Sequence, residues 1–172
     1  MGIAMRRAVP GDEQALRRAV FAAWRWRGSW DEAAYRAHED AGDPDSYVDG
    51  FGTRAGDAGL VAIADSSDLE ICGAAWFRLF TRQSARAGFV ADTIPELVLA
   101  VDERVRGVGI GGGLIDQLLV LARELGFPAL SLHADAENSV ATALYRSRGF
   151  EAVRTTPNGS VMVRADRSRN CG

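Results

Sequence analysis

Lysine is missing from this chain: apart from two histidines, all 20 of its basic residues are arginine. We read that as codon usage rather than function, but it has one firm consequence. A phosphate loop of the Gly-Lys-Ser/Thr kind cannot be built. Cysteine is nearly missing too. Cys72 and Cys171 make no disulfide framework, and neither has a Cys or His at metal-ligand spacing, so no metal site is expected. Cys72 falls in a strand pattern and reads as a small core residue, whereas Cys171 lies in a polar tail. No apolar run is long enough to span a bilayer. The first nine residues hold Arg6 and Arg7 but no apolar signal core. Excess positive charge is absent as well. A net charge of −3 disfavours a general nucleic-acid binder or an anionic-membrane binder. The expectation is a cytoplasmic protein with no nucleic acid and no membrane among its partners.

What is present fits one domain. The 172 residues, 47% of them hydrophobic, are enough for a sizeable core. We assign residues 1–166 to that domain and 167–172 to the tail. Periodicity predicts strands over 6–9, 59–64, 70–80, 96–101, 129–134, 151–155 and 160–164. It predicts helices over 13–26, 31–39, 110–125 and 138–148. Residues 40–57 read as loop with one helical turn around Tyr47, and 65–68 as a hairpin turn. Early strands join by hairpins, while the strand–helix–strand from 96 to 134 forces a parallel pair with a right-handed crossover. The expected fold class is therefore α/β (α+β): a mixed, mostly antiparallel sheet with one central parallel β-α-β crossover and helices on both faces.

The informative segment runs from Glu96 to Leu114. A strand apolar after its first residue gives way to an arginine-led, glycine-rich turn that enters an amphipathic helix. A helix start carries free N–H groups and partial positive charge, and glycine lets an oxygen approach the backbone, so the segment reads as a pyrophosphate cradle. Gly107-x-Gly109-x-x-Gly112 matches the dinucleotide fingerprint as a string, and Asp135 ends the next strand where a ribose-binding acid belongs. Against that reading, five residues separate Val101 from Gly107, only one crossover is present, and antiparallel strands precede it. A purely structural helix start is the other alternative. Four glycines within 107–112 cost up to ~1 kcal/mol each relative to alanine, which chains seldom carry without a backbone-approach reason.

Arg104-x-x-Gly107-x-Gly109, and equally Arg106-x-x-Gly109-x-Gly111, resemble the Arg/Gln-x-x-Gly-x-Gly/Ala signature of the GNAT superfamily of acyl-CoA-dependent N-acetyltransferases. The segment Asn138-Ser139-Val140-Ala141-Thr142-Ala143-Leu144-Tyr145-Arg146-Ser147-Arg148-Gly149-Phe150 resembles that family's Asn-x-x-Ala-x-x-Leu-Tyr-x-x-x-Gly-Phe helix. The opening Arg6-Arg7-Ala8-Val9-Pro10-Gly11-Asp12 is similar to its first strand and turn. The resemblance covers nearly the whole chain and is strongest from Glu96 to Phe150.

The resemblance implies a GNAT-type fold, acetyl-CoA as acetyl donor, and a small-molecule or peptide amine as acceptor. Dimers are common in the family, so a homodimer is among the states to test. It implies that the pyrophosphate meets Arg104, Arg106, Gly107, Val108, Gly109, Ile110, Gly111 and Gly112. It places the pantetheine arm on the backbone of Leu99, Ala100 and Val101, where a bulge splays the parallel strands apart. Asn138 is an N-cap and, by the resemblance, also a cofactor contact. An alkylammonium has a pKa near 10.4 and must lose a proton before it attacks. Glu96, after Pro95 at a sheet end, is the candidate base, with a solvated strand-end carboxylate as the other reading. Asp92, Asp135 and Glu137 are weaker alternatives.

Tyr145 is the candidate acid for the departing thiolate, against a packing role. His133 reads as helix-covered or solvent-facing rather than catalytic. Trp24, Trp26, Trp30 and Tyr35 fall where the family walls the acceptor site. Asp40, Asp43, Asp45, Asp49 and Asp57 either attract a cationic amine or form a solvated acidic loop. A non-catalytic CoA- or nucleotide-binding module of the same fold is the competing function.

Overall fold

A computed structural model describes residues 2–65 and 70–166. Cys171, the tail 167–172 and most of the turn expected at 65–68 lie outside the described residues. Seven strands form one sheet: β1 (Ile3–Arg7), β2 (Ala58–Ala64), β3 (Ile71–Arg78), β4 (Glu96–Val101), β5 (Ala129–Asp135), β6 (Glu151–Thr156) and β7 (Gly159–Ala165). Their order is β1-β2-β3-β4-β5-β7-β6. The helices are α1 (Glu13–Trp24), α2 (Glu32–Asp40), α3 (Asp45–Val48), α4 (Ile110–Glu124) and α5 (Ser139–Ser147). Among the described residues only β4 and β5 pair in parallel, joined by the α4 crossover.

The two faces follow from alternation along the central strands. Leu97, Leu99 and Val101 of β4, with Leu130, Leu132 and Ala134 of β5, pack under α4 and α5. That layer includes Leu114, Leu118, Leu121, Tyr145 and Phe150. Val98 and Ala100 point the other way, onto Leu16 and Val20 of α1 and Tyr47 of α3. Glu96 shares this second face by the same period of two. Cys72 is buried in the α4 layer, as its strand pattern suggests.

Several boundaries move. The first strand starts at Ile3, not residue 6, because its ladder follows β2 from Ile3↔Ala64 to Arg7↔Leu60. A 3₁₀ turn opens at Pro10, which has no N–H to extend a ladder. Helix α1 stops at Trp24 rather than 26, where Arg25 leaves helical geometry at φ −99°, ψ 38°. Strand β3 ends at Arg78, which lies opposite Glu96, the first residue of β4. The helical turn around Tyr47 is α3, a single turn that fixes one face of the site.

Candidate active site

Strands β4 and β5 meet at one bridge, Glu96↔Ser131, backed by the Ser131 N–H donating to the Pro95 carbonyl at 3.0 Å. Past it the two strands share no further ladder pairs, although β4 stays paired to β3 as far as Val101↔Gly73. The sheet therefore opens into a V whose β4 side carries the backbone of Leu99, Ala100 and Val101. Single-sequence periodicity does not carry such a splay.

Glu96 sits at the root of this V and is 4% exposed. Its Oε1 accepts from the Gly88 N–H at 3.0 Å and from the Tyr47 hydroxyl at 3.2 Å. Its Oε2 is buried with no hydrogen-bond partner among the described residues. Burial disfavours the charged form and pushes the pKa up to about 7, against the pull of the two hydrogen bonds and of the Arg86 charge. The solvated strand-end reading is thus corrected, since a solvated carboxylate would be exposed. Gly88 is required by closeness alone. A Cβ there would lie 2.8 Å from both Glu96 Cδ and the Leu132 carbonyl carbon.

Tyr47 was not a sequence candidate. It stands 49 residues before Glu96, and its sequence signal is the helical turn expected around it. Two buried donors fix the α3 turn that carries it. Trp76 Nε1–H donates to the Tyr47 carbonyl at 3.0 Å, and Arg78 Nη1 to the Ser46 carbonyl at 3.3 Å. Arg78 is itself gripped by Asp57 through two bonds of 2.9 and 2.7 Å, with both side chains fully sequestered. Asp57 is therefore a structural anchor, which corrects its place among the amine-attracting acids. Removing one partner from a buried pair leaves an uncompensated charge. Asp57→Ala is expected to lower stability by ~3–5 kcal/mol. A urea melt should show a lower midpoint at unchanged slope; an unmoved midpoint would count against the anchor.

Beyond the far end of β4, Gly107 and Gly109 have φ of +82° and +92°, which disfavours side-chained residues. A Cβ at either would meet nothing within 4 Å, so the loop surface is open. Gly109 caps the 15-residue α4, whose first internal bond runs from the Gly113 N–H to the Gly109 carbonyl. The N–H groups of Ile110, Gly111 and Gly112 thus lack a carbonyl four residues back. Ile110 is buried against Gly73 and offers only its backbone, while Val108 is exposed. Gly109, shared by the two overlapping motif frames, is the cap. Arg106 donates to the Val101 and Trp26 carbonyls at 3.0 and 3.1 Å. Arg104 is held by Asp102 and Glu70.

Asn138 caps α5, accepting from the Ala141 N–H at 3.1 Å. Tyr145 lies on the α4 side of the sheet, 7% exposed, its ring edge-on to Phe150. Burial alone pushes its pKa up to about 12. Neighbouring Leu144, with Leu99 and Val101, closes around Gly111, which brings α5, β4 and the α4 start together.

The weaker candidates scatter. Asp92 is exposed and accepts from the Arg82 N–H. Asp135 accepts from the Glu137 N–H, and exposed Glu137 pairs with Arg27. His133 is half-buried and bonded to Thr156. Trp30 and Tyr35 pack with Phe21, and Arg18 lies 4.0 Å above the Trp30 ring. Trp26 lies under Arg27. Asp40 is exposed. A cleft of about 700 Å³ beside Tyr47 is walled by Trp24, Asp43, Asp45, Asp49, Arg54 and Arg86. Asp45 and Asp49 both pair with Arg17, and Asp43 faces His38.

Comparison with known proteins gives the family and the fold. The model of the acetyltransferase (GNAT) family matches residues 17–150. A mycothiol acetyltransferase of Cellulomonas flavigena is 32% identical over 154 residues, covering 87% of this chain but 40% of that protein. The chain spans less than half the length of the curated relatives it matches over most of its own length. Among solved structures, the PaiA N-acetyltransferase of Thermoplasma acidophilum in complex with coenzyme A superposes with a TM-score of 0.65 at 18% identity. The match covers 96% of this chain and all of that one. The ribosomal-protein-alanine N-acetyltransferase of Brucella melitensis gives a TM-score of 0.62 at 24% identity, covering 95% and 99%. At these identities the two structures speak for the fold. The described helices include none long and apolar enough to cross a membrane.

Proposed function

Because this chain belongs to the acetyltransferase (GNAT) family, we propose that it transfers an acetyl group from acetyl-CoA to a primary amine by direct attack on the thioester. One observation carries the reading: a buried carboxylate, Glu96, stands at the root of a splayed strand pair whose far end opens on a glycine-capped helix start.

Acetyl-CoA fits this site. When bound it supplies an activated acetyl thioester. The N–H groups of Ile110, Gly111 and Gly112, the open turn of Gly107, Val108 and Gly109, and the nearby Arg106 suit a pyrophosphate. The β4 backbone from Leu99 to Val101, without a ladder partner on β5, suits an amide-bearing arm. Glu96 and Tyr145 then act from opposite faces of the sheet. Glu96 takes the amine's proton, and the Tyr145 hydroxyl donates to the departing sulfur.

Magnitudes support Glu96 as base. A proton moving from an amine of pKa near 10.4 to an ordinary glutamate climbs about six units, or ~8 kcal/mol. With the Glu96 pKa at about 7 the climb is roughly half that. Mycothiol acetylation, the activity in the relatives' names, is one acceptor reaction to assay.

The cofactor half of the proposal is tested at Gly109. Valine there adds a branched side chain at φ +92°, on the surface that the phosphates would approach. Gly109→Val is expected to weaken acetyl-CoA binding at least tenfold while the protein stays folded, as read by calorimetry and circular dichroism. Unchanged affinity in a folded variant would overturn the assignment. Following CoA-thiol release across a panel of amines separates transfer from mere binding.

A further inference from the structure

The cleft of about 700 Å³ beside Tyr47 has no part in the reaction scheme above, yet it shares walls with the Glu96 site. Tyr47 lines it and donates to Glu96 Oε1. Arg86 and Ala87 line it just ahead of Gly88, whose N–H donates to the same oxygen. The cleft therefore adjoins the group that takes the amine's proton, on the α1 and α3 face of the sheet.

The charged groups of the cleft fall into two classes. Its acids are engaged: Asp45 and Asp49 both pair with Arg17, and Asp43 Oδ2 lies 3.2 Å from His38 Nδ1. Its arginines are not. Neither Arg54 nor Arg86 makes a side-chain hydrogen bond or ion pair among the described residues. Both are exposed, and the Arg86 charge is felt at Glu96 and at Tyr47, which puts it within electrostatic reach of the base. A ligand ammonium would have to compete with Arg17 for the aspartates. A ligand carboxylate gains a planar, two-pronged partner and breaks no bond within the protein. The spare binding capacity of the cleft is for an anion.

We propose that Arg54 and Arg86 make this cleft a carboxylate-recognising acceptor site. The preferred acceptors are then amines that carry a carboxylate, amino acids or short peptides with a free C-terminus, ahead of neutral alkylamines. The proposal rests on acetyl transfer as read above and names its substrate class. The amine stands at Glu96, the carbon skeleton lies along the rings of Tyr47 and Trp24, and the carboxylate meets the guanidinium groups. Asp43, Asp45 and Asp49 repel a carboxylate bound the wrong way round.

The test takes amino acids with one to five carbons between amine and carboxylate, each against its own carboxamide, with rates referred to the unprotonated amine. Wild-type protein should favour at least one carboxylate by about tenfold in kcat/KM, the scale of one charge-assisted hydrogen bond partly open to water. High salt should shrink that preference by screening. Arg54→Gln should bring the ratio toward one through KM for the carboxylate and not through kcat, with acetyl-CoA affinity unchanged. Arg54→Lys should restore part of it, since the charge returns without the fork. Arg86→Gln should lower the same ratio, because its effect on Glu96 falls on acid and amide alike and cancels. A wild type without preference at any length, or one that favours diamines over amino acids, overturns the proposal. So does a preference that survives high salt or the loss of both arginines.

A second measurement needs no turnover. With coenzyme A in place of acetyl-CoA, calorimetry on each pair should show at least one amino acid binding more tightly than its amide, and the difference should vanish in Arg54→Gln. Equal affinities throughout overturn the proposal. Tighter binding of the carboxylate, joined to no CoA-thiol release from acetyl-CoA with any amine, would strike the transfer reading and leave the carboxylate site standing. Release that ignores the carboxylate would do the reverse.

Discussion

Replacing Glu96 by glutamine is expected to lower kcat by about 10²–10⁴-fold, the range of a lost general base, while acetyl-CoA affinity stays within a few-fold. The pH profile identifies the cause. Glu96 works only when ionised, so wild-type kcat/KM should rise along an acidic limb centred near pH 7, set by the raised pKa of this carboxyl. In the Gln variant that limb should disappear. A residual rate that keeps the limb would give the proton to another group. Tyr47→Phe offers a graded control. Its hydroxyl stabilises the carboxylate form, so its removal should carry the limb to higher pH with the plateau largely retained. A limb that stays in place would remove Tyr47 from the site.

The same carboxyl ties activity to stability. Its folded-state pKa of about 7 stands above the ordinary 4.5, so the fold prefers the protonated form. That contribution is complete below pH 4.5 and is lost as pH rises through 7, where the fold must hold a buried charge with one orphan oxygen. The difference is on the order of 3 kcal/mol. Glu96→Gln should therefore melt several degrees above wild type at pH 8 and converge with it near pH 4.5. An inactive yet more stable variant is the signature of a group placed for chemistry rather than for folding.

How much of this could be read in advance depends on the range of each signal. The crossover was legible because its cues are local: an apolar strand, Gly109 where the backbone turns to positive φ, and a 3.6-period helix closed near Gly126. Asn138 was legible for the same reason, as a cap whose side chain bonds three residues on. Glu96 could be picked out, but its environment could not. Burial raises its pKa, and the groups that restrain it, Gly88, Tyr47 and Arg86, come from the loop before β4 and from α3. Asp57 was misread because a buried aspartate and a solvated one look alike in a run of acids until Arg78 is seen beside it.

Tyr145→Phe is expected to lower kcat by about 10²-fold with little change in acetyl-CoA affinity, and the shape of the pH profile should survive. The reason lies in the size of the shift at Tyr145. A thiol leaves as a thiolate of pKa near 8.5, and a phenol of pKa about 12 lies more than three units above it. Complete proton transfer from Tyr145 to that sulfur would climb ~5 kcal/mol. A hydroxyl that keeps its proton can instead donate a hydrogen bond to the charge as it develops. Loss of one such donor typically costs ~3–4 kcal/mol in transition-state stabilisation. Phenylalanine keeps the ring and its edge-on contact with Phe150, so the fold should hold. The two roles part on the alkaline side. A true acid titrating near pH 8–9 would give wild-type protein an alkaline limb that vanishes in the variant. A hydrogen-bond donor of pKa about 12 leaves both profiles parallel over the working range, differing in height alone. Parallel profiles with a hundredfold gap would establish Tyr145 as a donor to the leaving sulfur, and equal heights would return it to the core packing of α5.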